Sequence, residues 1–216
     1  MTHKPPFGGF PAAAIAFYEG LEADNTRAYW MANKQTYAES VRAPMEALLD
    51  ALEDEFGPAH LFRPNRDVRF SADKSPYKDH QGAIAGRDTA LGLYVAVSAD
   101  GLVVGGGFRA ADPAMTRRYR LAVDAPDSGL RLAKIVAELR ADGFQLDGAA
   151  VATAPRGFAR DHPRIELLRF KELRVVKSFG TPAWLTTPRA LDEVRGAWRA
   201  VSPMRDWAAA HVEGPA

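Results

Sequence analysis

Between Phe62 and His80 the chain reads FRPNRDVRFSADKSPYKDH, and eight of these nineteen residues are Arg, Lys or Asp. Arg63, Arg66 and Arg69 recur at every third position with Asp67 among them, and Lys74, Tyr77 and Lys78 follow. These types suit an anion. A guanidinium offers carboxylate or phosphate a planar fork, an ammonium offers a compact point charge, and a nearby carboxylate fixes where a guanidinium points. Seven lysines among 28 basic side chains leave 28 − 7 = 21 arginines, so two lysines in so short a stretch suggest that a compact ammonium is wanted there. Alternation along an extended strand puts Arg63, Asn65, Asp67 and Arg69 on one face, and Phe62, Pro64, Arg66, Val68 and Phe70 on the other. Arg66 therefore has two open roles, a ligand contact or a buried ion-paired strut. The same residues also suit a network that fastens a loop to the edge of a sheet.

A second polar set lies upstream. Asn33 and Lys34 follow Trp30 by three and four positions and share its helical face with Tyr37. Polar groups on an apolar stripe either line a pocket or snorkel at its edge. Tyr77 and His162 are the candidate proton-transfer groups, His162 because an imidazole titrates near neutral pH; a role as a cap before PRIELL is its plainer alternative. The five histidines show no metal-binding spacing, and the absence of cysteine removes thiolate catalysis and thiolate metal sites. No serine stands in a G-x-S-x-G elbow. Gly105, Gly107 and Ala110 fit G-x-G-x-x-A, but they end a hairpin strand instead of linking a parallel strand to a helix, so close backbone approach explains them better than a dinucleotide. RRYR at 117–120 reads as a solvated helix face.

The elements that position these groups follow from periodicity. A short helix over 10–21 ends at Gly20, and Asp24 or Asn25 caps a long helix. Its stripe, Trp30, Tyr37, Val41, Met45, Leu48, Leu52 and Phe56, stops at Gly57-Pro58, and Pro44 bends or divides it. Residues 60–70 read as a strand and 71–82 as a loop. Residues 91–108 form a hairpin turning at Asp100-Gly101. Asp112-Pro113 opens a helix. Another, SGLRLAKIVAELRADG, presents Leu130, Ala133, Ile135, Val136 and Leu139 to the core and ends at Gly143. A loop, a short helix at RIELLRF, a strand at ELRVVKSF and a C-terminal helix bent near Pro203 complete the chain. Helices at both ends of an antiparallel core predict an α+β fold. It is a single domain over 1–216, an antiparallel sheet with a central hairpin flanked by N-terminal, middle and C-terminal helices.

A net charge of +1 opposes a nucleic-acid coat protein, whose footprint is strongly positive. The apolar run near the N-terminus is interrupted at Glu19 and no stretch approaches a membrane span, so a cytoplasmic protein with no membrane partner is expected.

Three motifs together, TRAYWMANKQTY, RDVRFSADKSPYK and PRGFARDHPRIELLRFKEL, resemble the microbial family designated DUF2461, over about Phe10 to Trp207. The resemblance brings no established activity, cofactor or substrate. Its pattern picks out Asn33, Lys34, Tyr37, Arg66, Asp67, Arg69, Phe70, Asp73, Lys74, Pro76, Tyr77 and Lys78, then Gly157, His162, Pro163 and Lys171. The chain departs from it at Tyr29-Trp30, Ala72 and Ala96, the last a position where the family often carries histidine. The expected function is binding of a phosphorylated or carboxylated small molecule, with or without a reaction. Asn33, Lys34, Arg66, Asp67, Arg69, Lys74 and Lys78 are the expected ligand residues, Tyr77 and His162 the catalytic ones, and no metal or cofactor is implied. Two alternatives stay open: a nucleic-acid binder, and an interaction or scaffold module whose motif is architectural.

Overall fold

The computed structural model describes residues 6–67, 69, 73–86 and 89–213. Val68 and Phe70, assigned above to one strand face, lie outside the described residues. The chain divides into two compact units, Met1–Arg87 with Tyr94–Val104 and Ser178–Gly196, and Asp88–Leu93 with Gly105–Lys177 and Ala197–Ala216.

In the first unit, α1 (Ala12–Ala23) buries Ala14, Phe17, Tyr18 and Leu21. It runs past Gly20, which serves close approach instead of termination. A Cβ there would stand 2.2 Å from the Tyr29 hydroxyl, which donates to the Phe17 carbonyl at 2.8 Å. The next helix, α2 (Arg27–Thr36), is capped by neither Asp24 nor Asn25: the Thr26 side chain accepts from the Tyr29 N–H. Asn25 is spent elsewhere, as described below.

Pro44 acts one turn ahead of itself. It has no N–H to give the carbonyl four residues back, and its ring crowds that carbonyl. The chain answers with a π-helical stretch over Tyr37–Arg42, where the Ala43 N–H reaches the Ala38 carbonyl, and then resumes as α3 (Ala43–Asp50) and α4 (Glu53–Phe56). The extra residue in the turn keeps the stripe aligned, and all seven of its members, from Trp30 to Phe56, are buried.

The strand expected over 60–70 is only β1 (Ala59–Leu61), paired antiparallel with β2 (His80–Ala85) in the register His60↔Ile84. Pro64, which cannot donate to a ladder, is the reason. Beyond Leu61 the two segments still run side by side, joined by Phe62 N–H to Gly82 O, Lys78 N–H to Pro64 O and Arg66 N–H to Pro76 O. Gln81, 1% exposed, fills the gap in the ladder. Its amide nitrogen donates to the Phe62 and Gly82 carbonyls at 2.8 and 3.0 Å, and its oxygen accepts from the Tyr37 hydroxyl at 2.6 Å.

The hairpin is present as β3 (Leu93–Ser98) and β4 (Gly101–Phe108). In the second unit Asp112 caps α5 (Pro113–Asp124) by accepting from the Met115 N–H at 2.8 Å, with Pro113 at the first turn as expected. The following helix, α6 (Pro126–Ala141), buries Gly129, Leu132, Ile135, Val136 and Leu139. Leu130, assigned to that face, is 61% exposed. The face runs at intervals of three and four from Gly129, which places Leu132 inward and Leu130 outward. After β5 (Gln145–Asp147) and α7 (Ile165–Arg169) comes β6 (Leu173–Gly180). The final helix, α8 (Arg189–His211), continues through Pro203 and buries Trp198, Val201, Met204 and Trp207. The strands form one antiparallel sheet in the order β1-β2-β3-β4-β6-β5, so the fold is α+β.

The glycine-rich end of β4 admits a neighbouring backbone, not a dinucleotide. A Cβ on Gly105 would stand 2.3 Å from the Val175 carbonyl oxygen, and one on Gly107 2.3 Å from that of Leu173.

RRYR is solvated only at Arg117. Tyr119 is fully buried and donates to the Leu167 carbonyl at 2.8 Å, while Arg118 and Arg120 donate through Nε to the carbonyls of Val212 and Leu168. Short polar side chains do not reach across helices, but long arginines and a phenol do, and here they bind carbonyl oxygens at two helix ends.

Candidate functional site

The first and second motifs meet in the first unit. Tyr77 is buried and stacks on Trp30, with ring centroids 4.3 Å apart and planes within 9°. Asn25 holds the Tyr77 backbone from both sides: its Nδ2 donates to the Tyr77 carbonyl at 3.1 Å, and its Oδ1 accepts from the Tyr77 N–H at 3.2 Å. These contacts lock the loop between β1 and β2 onto α2. The residue looked like a helix cap in the sequence, so its role was missed.

Most of the motif's charge is spent within the loop. Arg66 ion-pairs with Asp73, lies 3.7 Å from Asp79, and points Nε at the Tyr77 carbonyl at 3.4 Å. Asp73 also accepts from the N–H and hydroxyl of Ser75. The Ser75 bonds first, and Arg66 after them, hold its carboxyl below the usual range. Asp67 accepts from Nε, Nη2 and the backbone N–H of Arg69 at 3.0, 2.7 and 3.2 Å. That fork depresses the Asp67 carboxyl and raises the Arg69 guanidinium. The pair is exposed, so water screens it and it adds little to stability.

Of the remaining expected residues, Lys34 and Lys74 are exposed. Asn33 is half-buried, and its Nδ2 returns to the Tyr29 carbonyl of its own helix at 2.9 Å. His162 lies in the second unit, where both ring nitrogens are engaged. Its Nδ1 accepts from the Arg164 N–H at 3.0 Å and its Nε2 stands 3.2 Å from Asp124. It ties the end of α5 to the start of α7, close to the capping role. His80 pairs with Asp79 at 2.7 Å.

Lys78 differs from the other cations of the motif. It lines a cavity of about 470 Å³ with Arg42, His60, Phe62, Arg63 and Pro64. Its Nζ sits 5.2 Å above the Phe62 ring, a cation–π arrangement. Burial lowers its pKa below the ordinary value, and the positive charges of Arg63 and Arg66 lower it further. Among the described residues no carboxylate lies within ion-pairing distance of Lys78 or Arg63, while Arg42 is paired with Glu46. Arg42 and His60 escaped the sequence reading because nothing local marks them: they reach the cavity through the π-helical stretch and the β1 register.

Three phenols of this unit, Tyr18, Tyr37 and Tyr94, favour their protonated forms. Burial pushes Tyr37 up to about 12 and Tyr94 up to about 12, and Tyr18 higher still. Tyr37 thus stays a donor to Gln81. The described residues contain no cluster of His, Asp and Glu able to hold a metal ion, and no helix among them is long and apolar enough to cross a membrane.

No curated protein is matched by the chain. The motifs that meet at Tyr77 nevertheless carry a family signature: the model for DUF2461, described as a conserved hypothetical protein, matches residues 13–207, and the chain belongs to that family.

Proposed function

We propose that the cavity beside β1 binds a small phosphorylated or carboxylated molecule through Lys78 and Arg63, with Arg42 and His60 at its wall. The observation that carries this reading is Lys78. An ammonium drawn partly out of water among guanidiniums, with no carboxylate within ion-pairing distance among the described residues, is a costly arrangement, and a ligand anion relieves it. The rest of the motif then has a positioning role. Arg66, clasped between Asp73 and Asp79, and Tyr77, pinned by Trp30 and Asn25, hold the backbone from which Lys78 projects. The cavity is within the ~300–1,000 Å³ typical of small-ligand sites.

The test is the thermal midpoint of wild type and Lys78→Met against phosphate, sulfate, sugar phosphates, dicarboxylates and short oligonucleotides at two salt concentrations. A small anion that raises the wild-type midpoint and leaves the variant's unchanged supports the reading by linkage. Oligonucleotide stabilisation that collapses with salt favours a nucleic-acid partner instead. A flat panel for both proteins refutes both.

A further inference from the structure

A larger cleft lies in the second unit and shares no residue with the cavity beside β1. It encloses about 880 Å³ between α5, the turn at 156–158 and the stretch before β6. Four cations line it: Arg117, Arg120, Arg156 and Lys171. Its three carboxylates are engaged. Asp112 caps α5, Asp124 faces His162, and Glu172 lies 3.4 Å from Arg174. None of the four cations has an ion-pair partner among the described residues.

Arg120 is fixed in place. Its Nε donates to the Leu168 carbonyl at 3.0 Å, and its Nη2 is buried with no hydrogen-bond partner among the described residues. A buried guanidinium N–H without an acceptor costs the desolvation of that group, and the Arg120 charge at the cleft wall has no ion-paired carboxylate to offset it among the described residues. Lys171 is anchored through its backbone: its N–H donates to the Ala149 carbonyl at 2.7 Å, and its carbonyl accepts from the Thr116 hydroxyl at 3.0 Å. The cleft also has an apolar wall. Phe158 is half-buried, and Leu121, on α5, is 58% exposed.

We propose that this cleft is a second binding site, for a phosphorylated small molecule with an aromatic or apolar body. Arg120, Arg156 and Lys171 take the phosphate, Arg117 adds charge at the rim, and Phe158 with Leu121 covers the body. Guanidinium forks match phosphate oxygens in pairs, and an aromatic face stacks on a planar ring.

Calorimetric titration of the full chain with adenosine monophosphate, ribose 5-phosphate, inorganic phosphate and adenosine tests it. Adenosine monophosphate binds more tightly than either half alone. The double variant Arg156→Ala/Lys171→Ala, altered at two exposed positions, weakens that binding by at least about 10- to 100-fold, the loss that each charge-assisted hydrogen bond removed is expected to give. Lys78→Met leaves it unchanged. The proposal is overturned by no binding of any probe, or by adenosine binding as tightly as its monophosphate. It is overturned as well if, in a Lys78→Met background that silences the cavity beside β1, the double variant binds adenosine monophosphate as tightly as the protein with Arg156 and Lys171 intact.

Discussion

Lys78 holds a charge where its surroundings disfavour one, and this predicts an unusual substitution. Methionine keeps an unbranched stem over Phe62 and removes the charge. Lys78→Met is expected to leave the unliganded protein as stable as wild type or to raise its midpoint by about 2–4 °C near neutral pH, the shift that ~1 kcal/mol gives a chain of this size. The pH dependence fixes the sign. Between the lowered pKa of Lys78 and the ordinary 10.5, the unfolded chain binds the extra proton. Wild-type stability therefore rises with pH across that interval, and thermal melts of Lys78→Met lose the rise. Gln81 behaves in the opposite way. Gln81→Leu strands the Tyr37 hydroxyl and the Phe62 carbonyl, so chemical denaturation should show a loss of about 2–4 kcal/mol, consistent with ~1–3 kcal/mol for each buried group left without a partner. A loss below ~0.5 kcal/mol contradicts that role.

At the scale of elements, the loop between β1 and β2 is held by side chains that the helix pattern does not advertise. Asn25→Ala removes both bonds to the Tyr77 backbone and is expected to cost about 1–2 kcal/mol, while Thr26→Ala costs ~1 kcal/mol through the lost cap. Asp24→Ala should change denaturation midpoints little, and equal losses at all three positions contradict the assignment. Gly107→Ala brings a methyl to 2.3 Å from the Leu173 carbonyl oxygen at a residue with φ of 138°, so it should lower stability by several kcal/mol. A midpoint unmoved by that change removes the close-approach account. The apolar stripe from Trp30 to Phe56 was legible because burial on one side of a helix leaves a period near 3.6. The hairpin and the α5 cap were legible because turn and cap chemistry is local. The length of β1 was not, since alternation continues past Pro64 although its ladder cannot. The charges of the loop were equally visible. Which carboxylate each arginine takes depends on pairing distant in sequence: Pro64 and Arg66 lie against Lys78 and Pro76, and Asp73 and Asp79 come to Arg66.

Over the whole molecule, charge is balanced at +1, so the proposed binding rests on particular cavities and not on a general field. In the first unit Lys78 and Arg63, which have no carboxylate within ion-pairing distance among the described residues, both line the cavity. The expected ligand set joined Asn33 and Lys34 of the helix to the charges of the loop, whereas the structure spends Arg66, Asp67 and Arg69 within the loop and brings Arg42 and His60 to Lys78 from α2's continuation and β1. Sequence proximity could not distinguish the groups that build the loop from those that face its cavity. The family match over residues 13–207 spans both units.

The central claim rests on the ionisation of one side chain, and that can be observed. The Lys78 side chain, assigned by comparison with Lys78→Met, is titrated by NMR with and without phosphate. The account predicts a pKa below 10.5 in the unliganded protein and an upward shift when phosphate is added. A Lys78 that titrates at or above its ordinary value, and ignores phosphate at every concentration, contradicts it.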